Sequence, residues 1–286
     1  MNVNLEYYRI FFYVAKYGSF TKAAEVLGGN QPNVTRCMNA LENALGCKLL
    51  LRSHRGVSLT PEGERLYVRV QTALEQLQRG ESELAAATGL QSGSVTIGAS
   101  ETALNLFLLE QLSIFHRRFP GIRLRIFNHS TPQAIAALRQ GSVDLAVVTT
   151  PAAAGKDLHA TKLMAFREIL VGAGDYAALA DKPLPFQALA DYPLIMLGRE
   201  TMTYAFYERL FLQHGLVLHP DTEAATADQL LPLAKGGLGL CFLPEAIARP
   251  AMEAGDVTQI PLSFQIPPRS VVLLTDKHSV LSAAGR

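Results

Sequence analysis

The first sixty residues are punctuated so tightly that they can fold in few ways. Gly18, the pair Gly28-Gly29 and Gly46 cut residues 1–46 into three short segments, and a glycine just past a periodic apolar run is the usual helix stop. Leu5, Tyr8, Phe12 and Ala15 form the i, i+3, i+7 stripe of an amphipathic helix that halts at Gly18. Ser19 then serves as N-cap of a second helix of about two turns, with Ala23, Ala24 and Leu27 on its buried side. Asn30 caps a third, in which Pro32 occupies the first turn, where a missing N–H is harmless, and Val34, Met38, Leu41 and Leu45 share one face. Two short helices joined by a tight glycine turn form the pattern of a helix-turn-helix.

At about 100° per residue, the third helix carries Pro32, Arg36, Asn39 and Asn43 opposite the Val34 stripe, with Asn33 and Thr35 on the flanks. Arginine pairs bidentately with guanine and asparagine with adenine, while Gln31 and threonine at a helix start can hold phosphate. Ser19 and Thr21, opening the second helix, join this expected DNA-facing set. A solvated polar face on an ordinary helical hairpin would use the same residue types, so the next segment decides. Short apolar runs at 49–52 and 57–59 flank Ser53, His54, Arg55 and Gly56, which predicts a β-hairpin with a basic tip. Such a wing would bring Arg52 and Arg55 to the sugar-phosphate backbone. Residues 1–56 hold seven Lys/Arg against three Glu, leaving the remainder slightly acidic within a net charge of +1, so a polyanion would meet the N-terminus alone.

Thr60 and Pro61 supply an N-cap and a first-turn proline for a long helix over 61–89, with Leu66, Val70, Ala73, Leu77 and Leu84 in heptad spacing. That seam fits either pairing with a second copy or packing on the chain's own N-terminal module. Gly89 to Gly93 reads as a flexible joint. From Ser94 strands at 95–99, 124–128, 145–148, 169–171, 194–197 and 240–243 alternate with helices at 104–119, 132–139, 204–214 and 227–235, which predicts an α/β domain with a largely parallel sheet. A chain of 286 residues, 49% hydrophobic and 18% charged, is long enough for two globular domains and too apolar for disorder. Three scattered cysteines form neither a disulfide scaffold nor a CxxC site. No signal-peptide pattern and no apolar stretch of about 18 residues is present, so a cytoplasmic location is expected.

These residues resemble the LysR-type transcriptional regulators of bacteria. Tyr17 to Leu27, Gln31 to Arg36, Leu41-Glu42 and Leu45-Gly46 are similar to that family's helix-turn-helix in order and spacing, and Arg52, Arg55-Gly56-Val57 and Leu59-Thr60 are similar to its wing. Asp144 to Val147, Gly236 to Leu240 and Leu243-Pro244 extend the likeness over nearly the whole chain. Asn30 departs from the usual Ser or Thr, and Leu50 from the usual Phe. The resemblance implies a multidomain α/β architecture: a winged helix-turn-helix at 1–60, a linker and dimerisation helix at 61–89, and at 94–286 a two-lobed effector domain of periplasmic-binding-protein type. Lobe I would take about 94–162 and 269–286, lobe II about 163–268, with the chain crossing near 162–165 and 264–269. After Lys277-His278 the family usually adds a further helix, expected to be short or missing here.

By motif position the resemblance places a small-molecule effector among Ser100, Thr102, His129, Ser130, Thr131, Thr149 and Thr150 of one lobe and Thr201 and Thr203 of the other. So many hydroxyls suggest a polar or anionic ligand, although each Ser or Thr singly could equally be a helix cap. The implied partners are an operator duplex, the effector and further copies of the chain, as homodimer or homotetramer. No cofactor or metal is expected. GxSxG, HExxH, P-loop and GxGxxG patterns are missing, and Gly236 to Gly239 precedes its strand instead of following one, so an enzyme is not the expected reading. A solute-binding protein without DNA function would fit residues 94–286 alone, but not the N-terminal module.

Overall fold

The computed structural model describes residues 3–53, 56–86, 93–278 and 285. The chain divides into two compact units, residues 1–84 and 85–286, each with its own core.

In the first unit α1 (Leu5–Tyr17), α2 (Phe20–Val26) and α3 (Gln31–Leu45) precede a hairpin of β1 (Leu50–Ser53) and β2 (Gly56–Leu59), and α4 (Pro61–Ala86) follows. Capping sets each boundary. Asn4, Ser19 and Asn30 accept hydrogen bonds from the N–H groups of Glu6 (2.9 Å), Lys22 (3.3 Å) and Asn33 (3.0 Å), and Gly18 and Gly46 end α1 and α3 in left-handed conformations. Phe11, Val14, Ala23, Val34, Met38, Leu41 and Leu49 meet in one core. The wing docks on the end of α1: Val57 N–H donates to the Gly18 carbonyl at 2.9 Å, and a Cβ on Gly56, at φ 120°, would stand 2.9 Å from that same oxygen. Glu42 is buried, yet its carboxylate is satisfied by Lys48 Nζ (2.7 Å) and the N–H groups of Leu49 (2.9 Å) and Leu50 (3.2 Å). Thr60 caps α4 through Gly63 N–H (3.0 Å) and donates back to the Lys48 carbonyl (2.7 Å).

The seam expected to bind a partner divides in two. Val70, 6% exposed, belongs to the module's own core, and Leu66 packs against it, which is the intramolecular alternative that the spacing left open. Ala73 is exposed and Leu77 is 59% exposed. The side chain of Leu84, and Arg55 of the wing, lie outside the described residues.

The second unit contains two five-stranded sheets. Lobe I contains β3 (Gly93–Ala99), α5 (Glu101–Ala103) running through a π turn (Leu104–Leu108) into α6 (Leu109–Arg118), then β4 (Ile122–Asn128), α7 (Thr131–Arg139), β5 (Leu145–Thr149) and β6 (Leu158–Phe166). Lobe II contains β7 (Glu168–Gly172), β8 (Leu194–Leu197), α8 (Met202–Gln213), β9 (Thr222–Ala224), α9 (Leu230–Lys235), β10 (Leu240–Pro244), α10 (Glu245–Glu253) and β11 (Thr258–Ile260); β12 (Arg269–Asp276) returns to lobe I. The strand orders are β4-β3-β5-β12-β6 and β11-β7-β10-β8-β9. Alternate residues of β8 and β10 serve opposite cores: Leu194, Met196, Leu240 and Phe242 one, Ile195, Leu197, Cys241 and Leu243 the other. Burial on both faces explains why these strands read as unbroken apolar runs.

Three expectations need correction. The sheets are mixed, because β12 runs antiparallel to β5 and β6, and β7 antiparallel to β10 and β11. The first crossing falls at 166–168 rather than 162–165, because β6 stays paired with β12 out to Phe166. The strands β6, β9, β11 and β12 and the helix α10 are additional, α10 forming around an internal Pro250. Among the described residues no helix is long and apolar enough to cross a membrane.

Candidate functional site

Two surfaces carry the polar chemistry, one in each unit. In the first, burial of Val34, Cys37, Met38 and Leu41 turns the other side of α3 outward, leaving Gln31, Pro32, Asn33, Arg36 and Asn39 exposed and Thr35 half-buried. This face is prearranged by its own hydrogen bonds. Arg36 Nη2 donates to Asn33 Oδ1 (2.9 Å), and Thr21, exposed on α2, donates to Gln31 Oε1 (3.4 Å). Ser19 is half-buried, and its hydroxyl is used as the α2 cap. Arg52 does not stand apart on the wing: its guanidinium lies 4.4 Å from the Phe20 ring centroid and donates to Asn39 Oδ1 at 3.2 Å. The structure thus joins α2, α3 and the base of the wing into one basic, amide-rich surface, of the kind that admits a base-reading helix to the major groove.

The second surface is a cleft of about 170 Å³ between the lobes. It brings together Ser100, Thr102, His129, Ser130, Thr131 and Thr149 from lobe I with Thr201 and Thr203 from lobe II. These positions cluster because β3, β4, β5 and β8 all end at the cleft and α5, α7 and α8 start there, the usual position for ligands in open α/β sheets. Thr150 is the exception. It turns into the sheet, where its hydroxyl accepts from Ser270 N–H (2.9 Å) and its carbonyl from Arg269 Nε (2.6 Å).

Several cleft hydroxyls are already engaged. Ser100 and Thr201 are helix caps, accepting from Ala103 N–H (3.4 Å) and Tyr204 N–H (3.1 Å). Thr131 donates to the Thr149 carbonyl at 3.4 Å, and Ser130 N–H is held by the Gln133 side chain at 2.9 Å. Thr102 has no hydrogen-bond partner among the described residues. His129 stacks on Phe127 and presents a buried Nδ1, with no partner among the described residues, towards Gly98; burial lowers its pKa, which favours the neutral ring at pH 7.

Sequence reasoning missed the charged members. Glu101 and Glu200 line the cleft, and Glu101 accepts from Asn105 (2.8 Å) and Asn128 (3.2 Å). Beneath it lies an ion pair, Arg269 to Glu168 at 2.8 Å, with both side chains almost fully buried. No motif flags these two; they meet only because the chain crosses between lobes at both positions. Among the described residues no group of His, Cys, Asp and Glu is arranged to hold a metal.

Two family descriptions match the sequence: a bacterial regulatory helix-turn-helix protein of the lysR family over residues 5–64, and a LysR substrate binding domain over residues 88–286. Among relatives, the HTH-type transcriptional regulator YfeR of Shigella flexneri is 27% identical, covering 99% of this chain and 91% of its own. A probable hydrogen peroxide-inducible genes activator of Mycobacterium avium is 28% identical, over 83% of this chain and 76% of its own. In fold, full-length CbnR in complex with target DNA superposes with a TM-score of 0.77 at 19% identity, covering 97% of this chain and 95% of that one. A probable transcriptional regulator of Pseudomonas aeruginosa, PA0477, follows at 0.68 and 21%, covering 97% and 92%.

Proposed function

We propose, for a chain that belongs to the LysR family of bacterial transcriptional regulators, that α3 reads operator bases and that a small polar molecule in the inter-lobe cleft controls the outcome. The protein is a DNA-binding transcriptional regulator with an effector-binding domain; what is proposed is the assignment of its residues. The observation that carries the DNA half is the exposed Gln31, Asn33, Arg36 and Asn39 face, adjoining Arg52. On this reading Arg36 and Asn39 reach base edges, while Ser19, Thr21, Gln31, Pro32, Thr35 and the wing arginines Arg52 and Arg55 set register on the backbone.

Effector recognition is assigned to the cleft hydroxyls and to the N–H groups at the starts of α5, α7 and α8, which favour a hydrogen-bond acceptor or a single anionic group. Glu101 and Glu200 disfavour a multiply charged anion. No cofactor or metal enters this role, which is regulatory and not catalytic, and the exposed part of α4 around Ala73 and Leu77 is assigned to self-association.

The relative named for hydrogen peroxide raises a second reading, sensing by thiol oxidation. It is disfavoured here. A disulfide formed within residues 85–286 needs two cysteines, and that stretch has Cys241 alone. Cys241 is buried, and burial together with Glu168 pushes its thiol up to about 12, leaving negligible thiolate at neutral pH.

The test is selection of genomic fragments by the full-length protein, followed by a thermal-shift screen of metabolites. A ligand at 100 times its dissociation constant stabilises the native state by about 2.7 kcal/mol. A hit that also alters the footprint on the selected operator supports the reading; no selected sequence, or hits that leave the footprint unchanged, would count against it.

A further inference from the structure

Arg269 is 2% exposed, and its guanidinium bonds to residues of both lobes. It begins β12, at the crossing from lobe II back to lobe I, while Glu168 begins β7, at the opposite crossing. Arg269 Nη1 donates to Glu168 Oε1 (2.8 Å), and Tyr207 of α8 donates its phenolic O–H to Glu168 Oε2. Nε donates to the Thr150 carbonyl (2.6 Å). The remaining nitrogen, Nη2, donates to two threonines: Thr149 Oγ1 of lobe I at 2.9 Å and Thr203 Oγ1 of lobe II at 3.0 Å. Phe166 and Phe206 flank the cation, with ring centroids 5.7 and 5.2 Å away.

Thr149 and Thr203 both line the effector cleft. One nitrogen therefore fastens two opposing cleft walls to the point where both chain crossings meet. Burial of an ion pair gives little net stability relative to an apolar pair, whereas it does fix one arrangement of its neighbours. Four donated hydrogen bonds in fork geometry are something an arginine can supply and a lysine cannot.

We propose that Arg269 is the positioning residue of the effector response, an inter-lobe latch whose hold on Thr149 and Thr203 sets the lobe arrangement when no effector is bound. This rests on the cleft being the effector site. With one acceptor lone pair of each engaged by the guanidinium, the two hydroxyls keep their O–H to donate across the cleft. A ligand that accepts from both strengthens the latched arrangement, and one that draws a single threonine away releases it, so cleft chemistry is read directly at the hinge. An effector acts only through such a difference between states.

The experiment uses the full-length protein with no small molecule added, comparing wild type with Thr203→Val, Thr203→Ser and Arg269→Lys by hydrogen exchange and by footprinting on the operator selected as above. Thr203→Val removes one strand of the latch with little change of shape and leaves Glu168 paired, so the protein should still fold. Amides around both crossings, 166–168 and 264–270, should exchange roughly fivefold to tenfold faster, since one internal hydrogen bond is lost. The operator footprint should change without effector, Arg269→Lys should do the same, and Thr203→Ser should restore wild-type behaviour in both measurements. Faster exchange confined to the start of α8, an unchanged footprint, or no rescue by serine would overturn the proposal. Because no ligand is involved, such a result would leave the cleft reading to be judged by its own thermal-shift outcome.

Discussion

Glu42 shows how one residue ties α3 to the wing. Burial alone would raise its pKa, but the Lys48 ammonium and the N–H groups of Leu49 and Leu50 together hold it below the usual carboxylate range. A depressed folded-state pKa means that the stabilisation is present above the unfolded value, about 4.3, and is lost as pH falls through the folded one. Glu42→Gln should therefore cost about 1 to 3 kcal/mol at pH 7, the scale of hydrogen bonds to a charged group. That difference from wild type should begin to shrink below about pH 4.3, where the unfolded carboxylate takes up a proton, and should vanish once the native carboxylate has protonated as well. Thermal melts across pH 3 to 7 check it; a constant difference would mean that the charge of Glu42 plays no part. The cleft follows the same residue-level logic. Thr102 is the cleft hydroxyl with no partner among the described residues, so Thr102→Val should leave effector-free operator binding unchanged. It should also weaken a screened ligand by roughly tenfold, corresponding to an unpaired polar group on the ligand at about 1 to 3 kcal/mol. Calorimetry decides; wild-type affinity would remove Thr102 from the site.

At the scale of elements, α4 meets two different environments along its length. Val70 is part of the N-terminal core while Leu77 is 59% exposed. Val70→Glu should destabilise the module by about 2 kcal/mol or more, the consequence of burying an unpaired charge. Leu77→Glu should keep the fold and lower the oligomeric mass. Sedimentation together with melting separates the two, and an unchanged mass for Leu77→Glu would remove α4 from the self-association surface. The heptad spacing was visible in the sequence, but spacing cannot show which copy of the chain covers each position. Elements bounded by local chemistry were legible throughout: Ser19, Asn30 and Thr60 cap the helices they were assigned, and Gly18 and Gly46 end α1 and α3. Elements set by tertiary pairing were not. β12 and β6 are defined by each other across more than a hundred residues, and α10 contains a proline that local rules place outside helices. The grouping of the cleft hydroxyls came from what the family resemblance implies, and the strand ends are consistent with it; Arg269 and Glu168 were missed because only the double crossing brings them together.

At the scale of the whole molecule, a DNA-binding unit is joined to an effector-binding unit, and the proposed regulation depends on the polar face of α3 specifying the operator. Arg36 and Asn33 are exposed and bonded to each other, a geometry suited to base edges, whereas a residue that merely neutralises phosphate would weaken all duplexes alike. The most direct measurement titrates wild type and Arg36→Ala against the selected operator and a scrambled duplex of equal length at several salt concentrations. If α3 reads bases, Arg36→Ala should lose about 1 to 3 kcal/mol on the operator, with little change on the scrambled duplex and an unaltered salt slope. Equal losses on both duplexes, with the salt slope reduced by about 1, would make Arg36 a phosphate contact and contradict the assignment of sequence reading to this face.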